Sequence, residues 1–423
     1  MAGSSLAAAD AVLKEFYVGP IVEMLNQKTY LVDQIERDSD HIDHTGRRAI
    51  VPVHKGRNRG RGSTGDGGTL PGAGKQTWQD AQIPIRYHYS GIELTDGEIE
   101  ATRSSEGAFI NLLDAETKGV AMDMRKDMNR QAFGTGNGAL AGAVSATVGV
   151  NKTSKAKKLE FLTENDLQYI QVEDTIDVVK EATGETGNGV LKAEVTARSV
   201  KNKEVTLSKE LAAELAAETY QVYVTGNRAK EMDGLRNCTA AERILHEINS
   251  STAGNAYWNG QTFAVGKSAT ETAVAGESSF EQLADKVGAQ GNGDVEVFLT
   301  TRGIRRRLAD SYQSQKRFND ADAVDVHGGY SAIMVNEIPV IADDDAPKGY
   351  AFGFNKSAFK WFEQCAPSWL QREGGDIFQL KPGGTLGEWA AAWQAWFKWY
   401  VALGCVAPNR TGRLEFATDD APQ

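Results

Sequence analysis

A glycine-rich stretch between two strand-like segments limits what this chain can fold into. From Gly56 to Gly74 the sequence carries glycine at 56, 60, 62, 65, 67, 68, 72 and 74 and hardly any apolar side chain. Folding is driven by buried apolar area, so this stretch cannot build a core of its own. Before it, Ile50-Val51-Pro52-Val53-His54 predicts a strand. After it, Ile83 to Leu94 predicts the return strand, with Pro84 favouring a sheet edge. Residues 46–95 are therefore expected to form one long two-stranded hairpin with a flexible, basic tip. Arg47, Arg48, Lys55, Arg57, Arg59 and Arg61 lie between Asp43 and Asp66 with no acid among them. An isolated hairpin is marginal in water, and the expected support is a neighbouring copy of the chain.

The tip also spells a nucleotide motif that its context denies. Gly60-Arg61-Gly62-Ser63-Thr64-Gly65 matches the dinucleotide fingerprint, which needs a helix opening at its last glycine. Here glycines continue to Gly74 with Pro71 among them, so no helix is expected. Gly74-Lys75 fails as a phosphate loop, because Gln76 replaces the Ser or Thr and Thr69 stands where the first glycine belongs.

At 423 residues the chain exceeds one compact core, and two or more lobes are expected. The net charge of −11 opposes wrapping of nucleic acid by the chain as a whole, yet suits the lining of a container for it. Cys238, Cys365 and Cys405 form neither a disulfide framework nor a zinc site, so a reducing compartment is expected. The Met1-Ala2-Gly3-Ser4-Ser5 start lacks the build of a secretory signal. No apolar run reaches membrane-spanning length, and the richest, Trp396 to Ala407, contains Lys398.

Residues 1–45 read as a polar arm with one or two short helices, anchored by Phe16, Tyr17, Ile21, Val22, Leu25 and Leu31. Asp38 to His44 gathers metal-ligand residue types, but lacks the glycine and distal glutamate of a calcium loop and any zinc spacing. A solvated turn is expected there. Residues 105–133 predict a long helix. Phe109, Leu112, Leu113, Val120, Met124 and Met128 recur at helical spacing, Ser104 or Ser105 caps the start, and Gly134 ends it. Asp114, Glu116, Lys118, Asp123, Arg125, Lys126 and Asp127 occupy its other faces.

Residues 135–158 read as a connector. Between 160 and 225, four or five short strands alternate in character, such as Leu191, Ala193, Val195 and Ala197 against Lys192, Glu194, Thr196 and Arg198. They suggest an inserted small β-barrel or sandwich, with a turn at Gly184 to Gly189. From 229 to 365 the pattern is mixed. Short helices are expected at Glu242–Ile248 and Ser279–Val287, a strand at Val295–Thr300, a helix at Ile304–Lys316, and a strand at Ile338–Ile341. Arg302, Arg305, Arg306, Arg307, Lys316 and Arg317 suit contact with nucleic acid, but acidic patches on sister subunits or solvent are the expected partners. The Asp343-Asp344-Asp345 triplet has the chemistry to hold a divalent ion where subunits meet, but a solvated loop is expected. Trp389, Trp393, Trp396 and Trp399 fit either a helical stripe or strand positions, as core or interface anchors.

No catalytic set emerges. None of His41, His44, His54, His88, His246 and His327 falls in a metalloprotease-type motif, and no nucleophile elbow or cysteine signature is present. No catalytic residue, metal or cofactor is expected.

The order of the parts is more specific than any motif: arm, glycine-rich basic hairpin, lone long helix, mixed α/β region and closing strand-rich segment. With Val297 to Arg306, Gln315 to Phe318, Ile338 to Pro347, Ala351 to Phe354 and Gly404 to Arg410, it resembles the major capsid protein family of tailed bacteriophages, the Hong Kong 97-like fold. The resemblance implies an α+β subunit divided as follows: N-terminal arm 1–45, E-loop hairpin 46–95, spine helix and start of the peripheral domain 96–150, inserted β domain 151–228, peripheral domain 229–290, axial domain 291–365, and a closing peripheral segment 366–423. It implies self-assembly into pentamers and hexamers of an icosahedral shell around double-stranded DNA, held without sequence-specific binding. It also implies a virion assembled in the host cytoplasm, with a scaffolding protein, a portal and a decoration protein as partners. By this analogy Arg57, Arg59 and Arg61 of one subunit's hairpin would face Asp114, Glu116 and Asp123 on a neighbour's helix. The residues of the family's lysine–asparagine cross-link find no match here. The alternatives are an encapsulin-like compartment shell and, from another class, a nucleotide-binding enzyme built on the Gly60 loop.

Overall fold

The computed structural model describes residues 30–38, 47–103, 106–140, 158–161, 167–180, 186, 189–210, 220–268, 271–291, 293–313, 325–326, 330–331, 333–371, 377–382 and 389–419. The arm anchors before Tyr30, most of the Asp38–His44 cluster, the Ser104 and Ser105 caps, Lys316, Arg317 and most of the 135–158 connector lie outside them. The fold is mixed α+β, and its contacts divide it into two compact units. One holds Ile85–Asn129, Glu363–Val401 and the described residues up to Asp33; the other holds Gln34–Pro84, Arg130–Phe362 and the chain from Ala402 onward.

In the first unit, Arg86–Thr95 pairs antiparallel with the long strand Trp389–Cys405, from Arg86 opposite Val401 to Thr95 opposite Ala392. Alternation sends Ile92 and Ala395 inward, where they meet Val120 of the long helix, with Trp369, Ile377, Phe378 and Phe397 packed against them. A capping box starts the helix Asp96–Arg103: Thr95 donates its amide (2.8 Å) and hydroxyl (2.9 Å) to the Glu98 carboxylate, and Glu98 N–H returns to Thr95 Oγ1. The long helix Glu106–Phe133 follows, 28 residues and so about 42 Å. Val120, Met124 and Met128 are buried on one stripe as the spacing predicts. The last turn, from Arg130, belongs to the second unit.

In the second unit a six-stranded sheet runs in the order Gln261–Ala264, Gly412–Glu415, Ala351–Phe354, Val297–Thr300, Ile338–Ala342, Ile333–Val335. Val297–Thr300 lies parallel to Ile338–Ala342, and the intervening helix Arg302–Gln313 supplies the crossover such a pair requires. Phe280, Leu283 and Val287 of the helix Glu277–Gly291 share one core with Phe298, Ile304, Leu308, Val340 and Leu414.

A second sheet takes strands Lys158–Glu160, Glu204–Leu207, Val190–Ser199, Thr175–Lys180 and Tyr220–Val224 in that order, over its own core including Ile176, Val178, Val195 and Val222. The expected alternation of Leu191, Ala193, Val195 and Ala197 holds for Ala193 and Val195 and breaks at both ends, where Leu191 and Ala197 are exposed. Lys192 adopts φ 51° and its N–H turns to the Asp177 carboxylate, so a bulge shifts register and leaves Leu191 outward while Val190 is buried.

Three further expectations change. The hairpin's return strand is Thr77–Pro84, paired with Arg48–Gly56, and the predicted continuation Arg86–Leu94 leaves the hairpin for the other unit's sheet. Pro84 ends the ladder where its missing N–H would break it. Glu242–Ile248 is not helical: Ile244–Leu245 and Ile248–Asn249 form a small β-hairpin across His246 (φ 51°) and Glu247 (φ 65°), both left-handed as a two-residue turn requires. Arg243 forces this shape by donating to the carbonyls of Asn237, Cys238 and Trp258. The Asp343–Asp345 triplet is also not solvated: Asp343 and Asp345 are buried. Finally, the tryptophan segment, open between helix and strand, is strand throughout.

The hairpin's foot is closely packed. Ala49, Ala81 and Ile83 are buried, Gln82 N–H bonds the His246 carbonyl at 3.0 Å, and Tyr257 donates to Gln79 at 3.0 Å. Gly404 fits there only because it has no side chain: a Cβ would sit 2.3 Å from the Phe362 ring and 2.6 Å from Ile83. Gly404→Ala is expected to lower unfolding stability by about 1–3 kcal/mol in urea titration. Gly72→Ala, where a Cβ meets nothing within 4 Å, should leave the midpoint unchanged.

Candidate inter-subunit contact site

The hairpin carries its charge beyond its own support. Past a register shift between His54 and Gly56 the chain leaves the ladder, and no helix opens at Gly65, so the fingerprint at Gly60 lacks its required context. A neck closes the loop instead. Gly60 and Gly74 press backbone to backbone, with a Gly60 Cβ falling 2.5 Å from Gly74 N, and Asn58 Oδ1 accepts the Gly60 amide at 2.7 Å. Arg57, Arg59 and Arg61 are exposed around this neck, and none forms an ion pair with any described residue. Two apolar side chains are exposed on the same hairpin, Leu70 (80%) and Trp78 (64%), the latter against the His54 ring.

The acidic counterpart is partly described. The Asp114 side chain lies outside the described residues. Glu116 and Asp123 are both exposed, seven residues apart and so on one helix face, beside the buried Glu98. Glu116 reaches solvent, yet its carboxyl sits above the usual range. Protein around it withdraws water first, and the Glu98 and Asp123 carboxylates add repulsion. Ionised Glu116 is thus a strained charge, and a cation brought to this face would relieve it. The predicted residues form two sets, the arginines in the second unit and the acids in the first.

Within the other charged segments, Arg302 forms a bidentate pair with Asp344, at 2.5 and 2.6 Å, while its side chain stays largely exposed. Asp343 closes its own turn by accepting the Asp345 amide. The carbonyls of Asp344 and Ala346 accept Gln168 Nε2, and that of Asp345 accepts the Tyr169 hydroxyl, so the triplet fastens the inserted sheet's segment. Burial, then Asp345, pushes the Tyr169 phenol up. Among the described residues no group of His, Cys, Asp and Glu could hold a metal, and no helix is long and apolar enough to cross a membrane.

Sequence reasoning missed an aromatic face on the first unit's sheet. Tyr87, Tyr89, Trp396 and Tyr400 share one side, with Tyr89 and Tyr400 hydroxyls 2.7 Å apart and the Trp396 ring resting on Gly91. The pairing register, which no local pattern contains, assembles it. His246 was also missed. It is buried at the hairpin's foot with Nε2 accepting the Cys405 amide at 3.0 Å, and burial and Arg243 lower its pKa to about 3. The folded state therefore refuses a proton that the unfolded chain accepts near 6.5. Stability is expected to fall as pH drops from about 6.5 toward 3, by at most about 1.4 kcal/mol per pH unit from this group. Thermal melts across that window should show the slope, and His246→Gln should flatten it.

No family model matches the sequence, and no curated protein does either. Solved structures do match. The chain aligns with the Cyanophage A-1(L) capsid asymmetric unit over 98% of its length and 99% of that chain, at 12% identity and TM-score 0.52. A Gordonia phage Cozz structure aligns at 11% identity and TM-score 0.48, over 98% of this chain and 94% of that one. The holo-SrpI encapsulin complex from Synechococcus elongatus PCC 7942 aligns at 9% identity and TM-score 0.45, over the whole of both chains. The α+β architecture of this chain is therefore the Hong Kong 97-like fold of a phage capsid protein.

Proposed function

We propose that this chain is the major shell subunit of a tailed-phage head, assembling into pentamers and hexamers that enclose double-stranded DNA. The observation that carries the reading is the Hong Kong 97-like fold, matched along nearly the full length of a capsid subunit. The hairpin supports it independently: it is anchored only at its foot and exposes Arg57, Arg59, Arg61, Leu70 and Trp78. Such a projection gains its second layer from another copy, and repeated copies of one interface close into symmetric assemblies.

In this reading residues 1–45 act as an arm, 46–84 as the E-loop and 106–133 as the spine. The unit carrying the six-stranded sheet serves as the axial domain, and the unit carrying the aromatic face as the peripheral domain. The arginines of one subunit lie against Asp114, Glu116 and Asp123 of the next, where they relieve the Glu116 charge. The subunit is not an enzyme and takes no cofactor. A scaffolding protein, a portal and a decoration protein are its further partners. The shell is assembled in the host cytoplasm and ends in the virion.

Exposed pairs contribute only about 0.2–1 kcal/mol each, so three per contact change each association step by about tenfold. The triple variant Arg57→Glu, Arg59→Glu, Arg61→Glu is expected to stay folded by circular dichroism yet lose shells in electron micrographs and light scattering. Adding Glu116→Lys and Asp123→Lys should restore them. Normal shells from the triple variant would refute this contact. A subunit that stays monomeric with its scaffold supplied would refute the shell reading itself, and shells filled with protein cargo would indicate an encapsulin-like compartment.

A further inference from the structure

The inserted sheet is tied to the rest of the second unit at two places of different character. One is a neck where two chain segments run side by side. On its inner side Leu140, a member of the inserted core, donates its amide to the Val222 carbonyl at 2.8 Å. On its outer side Ala229 N–H reaches the Asn137 carbonyl, also at 2.8 Å. Between these two bonds each segment carries one left-handed glycine, Gly138 at φ 83° and Gly226 at φ 80°. The segments touch there, since a Cβ on Gly138 would sit 2.7 Å from the Asn227 carbonyl oxygen, while a Cβ on Gly226 would meet nothing within 4 Å. Glycine passes between left-handed and ordinary backbone angles without a side chain to obstruct it, and hinges are built from a few such residues between rigid elements.

The other place is the acidic turn. Gln168 Nε2 donates to the carbonyls of Asp344 (3.0 Å) and Ala346 (2.8 Å), and the Tyr169 hydroxyl donates to that of Asp345 (2.7 Å). The Tyr169 ring packs on the inserted core while its hydroxyl crosses to the turn. The turn is itself held from the other side: Asp343 N–H bonds the Thr300 carbonyl at 2.9 Å, and Arg302 grips the Asp344 carboxylate. Among the described residues the inserted core and the core under the six-stranded sheet have no member in common.

We infer that the inserted sheet is a hinged body, docked by a latch of Gln168 and Tyr169 and able to swing about the two-glycine neck when the latch opens. Opening trades three bonds to carbonyls for bonds to water, a small net cost for each. Neither donor carries a charge, so added salt leaves the latch in place. Docked and released, one chain has two outlines, and a neighbour that fits one of them selects it. Its use in filling both pentamers and hexamers rests on the shell reading; the hinge and the latch rest on the subunit alone.

The test uses the full chain with Cys365→Ala and spin labels at Lys201→Cys and Glu296→Cys, exposed positions on the inserted sheet and beside the six-stranded sheet. Cys238 and Cys405 are buried and stay unlabelled. With the latch intact, electron–electron resonance should give one narrow distance, unchanged by salt. The double variant Gln168→Met, Tyr169→Phe removes all three bonds and keeps the side-chain bulk. It should raise the released population about 10- to 100-fold, read as a second distance, and Tyr169→Phe alone should go part of the way. Hydrogen exchange on the same samples should leave Thr175–Lys180 and Val190–Ser199 equally protected. A single narrow distance in the double variant would overturn the proposal. So would a second distance that appears together with lost protection in those strands, which is unfolding and not a swing. No shell is needed for any of these measurements, so they stand whether or not the shell reading does.

Discussion

A two-stranded hairpin has no second layer, so its stability is decided where it enters the rest of the protein. Here that place is the joint of Ala49, Ala81 and Ile83 with Phe362, Gly404 and His246. Several otherwise unrelated features serve it. Gly404 leaves room for the Phe362 ring, His246 bridges the Gln82 and Cys405 amides from a turn of two left-handed residues, and Arg243 holds that turn by capturing three carbonyls. With the foot so constrained, the outer hairpin projects without a core and presents charge and two apolar side chains.

The inserted sheet is fastened by a different device. It has a core of its own, running from Leu140 and Leu159 to Val222. Gln168 and Tyr169 hold it by bonding three successive backbone carbonyls of the acidic turn. Carbonyl acceptors leave the carboxylates free for other work: Asp344 neutralises Arg302, and Asp343 shapes the turn. A cluster of acids that looks like a solvated loop in one dimension is a docking platform in three.

Charge is distributed with the same economy. The chain is acidic overall, at −11, yet Arg57, Arg59 and Arg61 gather around the neck of the hairpin, with no ion pair to any described residue. The face bearing Glu98, Glu116 and Asp123 holds carboxylates close enough to raise Glu116. Glu116 carries its charge at a cost there, which a cation brought to this face would lower. Exposed ion pairs are weak singly.

Much of this was legible in the sequence. The glycine run announced a projection without a core, the 3.6-residue spacing of Val120, Met124 and Met128 announced the long helix, and Val297–Thr300 followed by a helix announced a parallel crossover. These are local properties: conformational freedom, periodicity and turn chemistry act over a few residues. Tertiary structure alone decided the rest. It took Arg86–Thr95 from the hairpin and paired it with a strand some three hundred positions later, a choice that depends on a partner no local pattern names. It turned Glu242–Ile248 from helix to hairpin, where Arg243 bonds three carbonyls outside the segment, those of Asn237, Cys238 and Trp258, against a weak helix propensity. It set the aromatic face, since strand register and burial are properties of the assembled chain, fixed only when segments remote in sequence exclude water together.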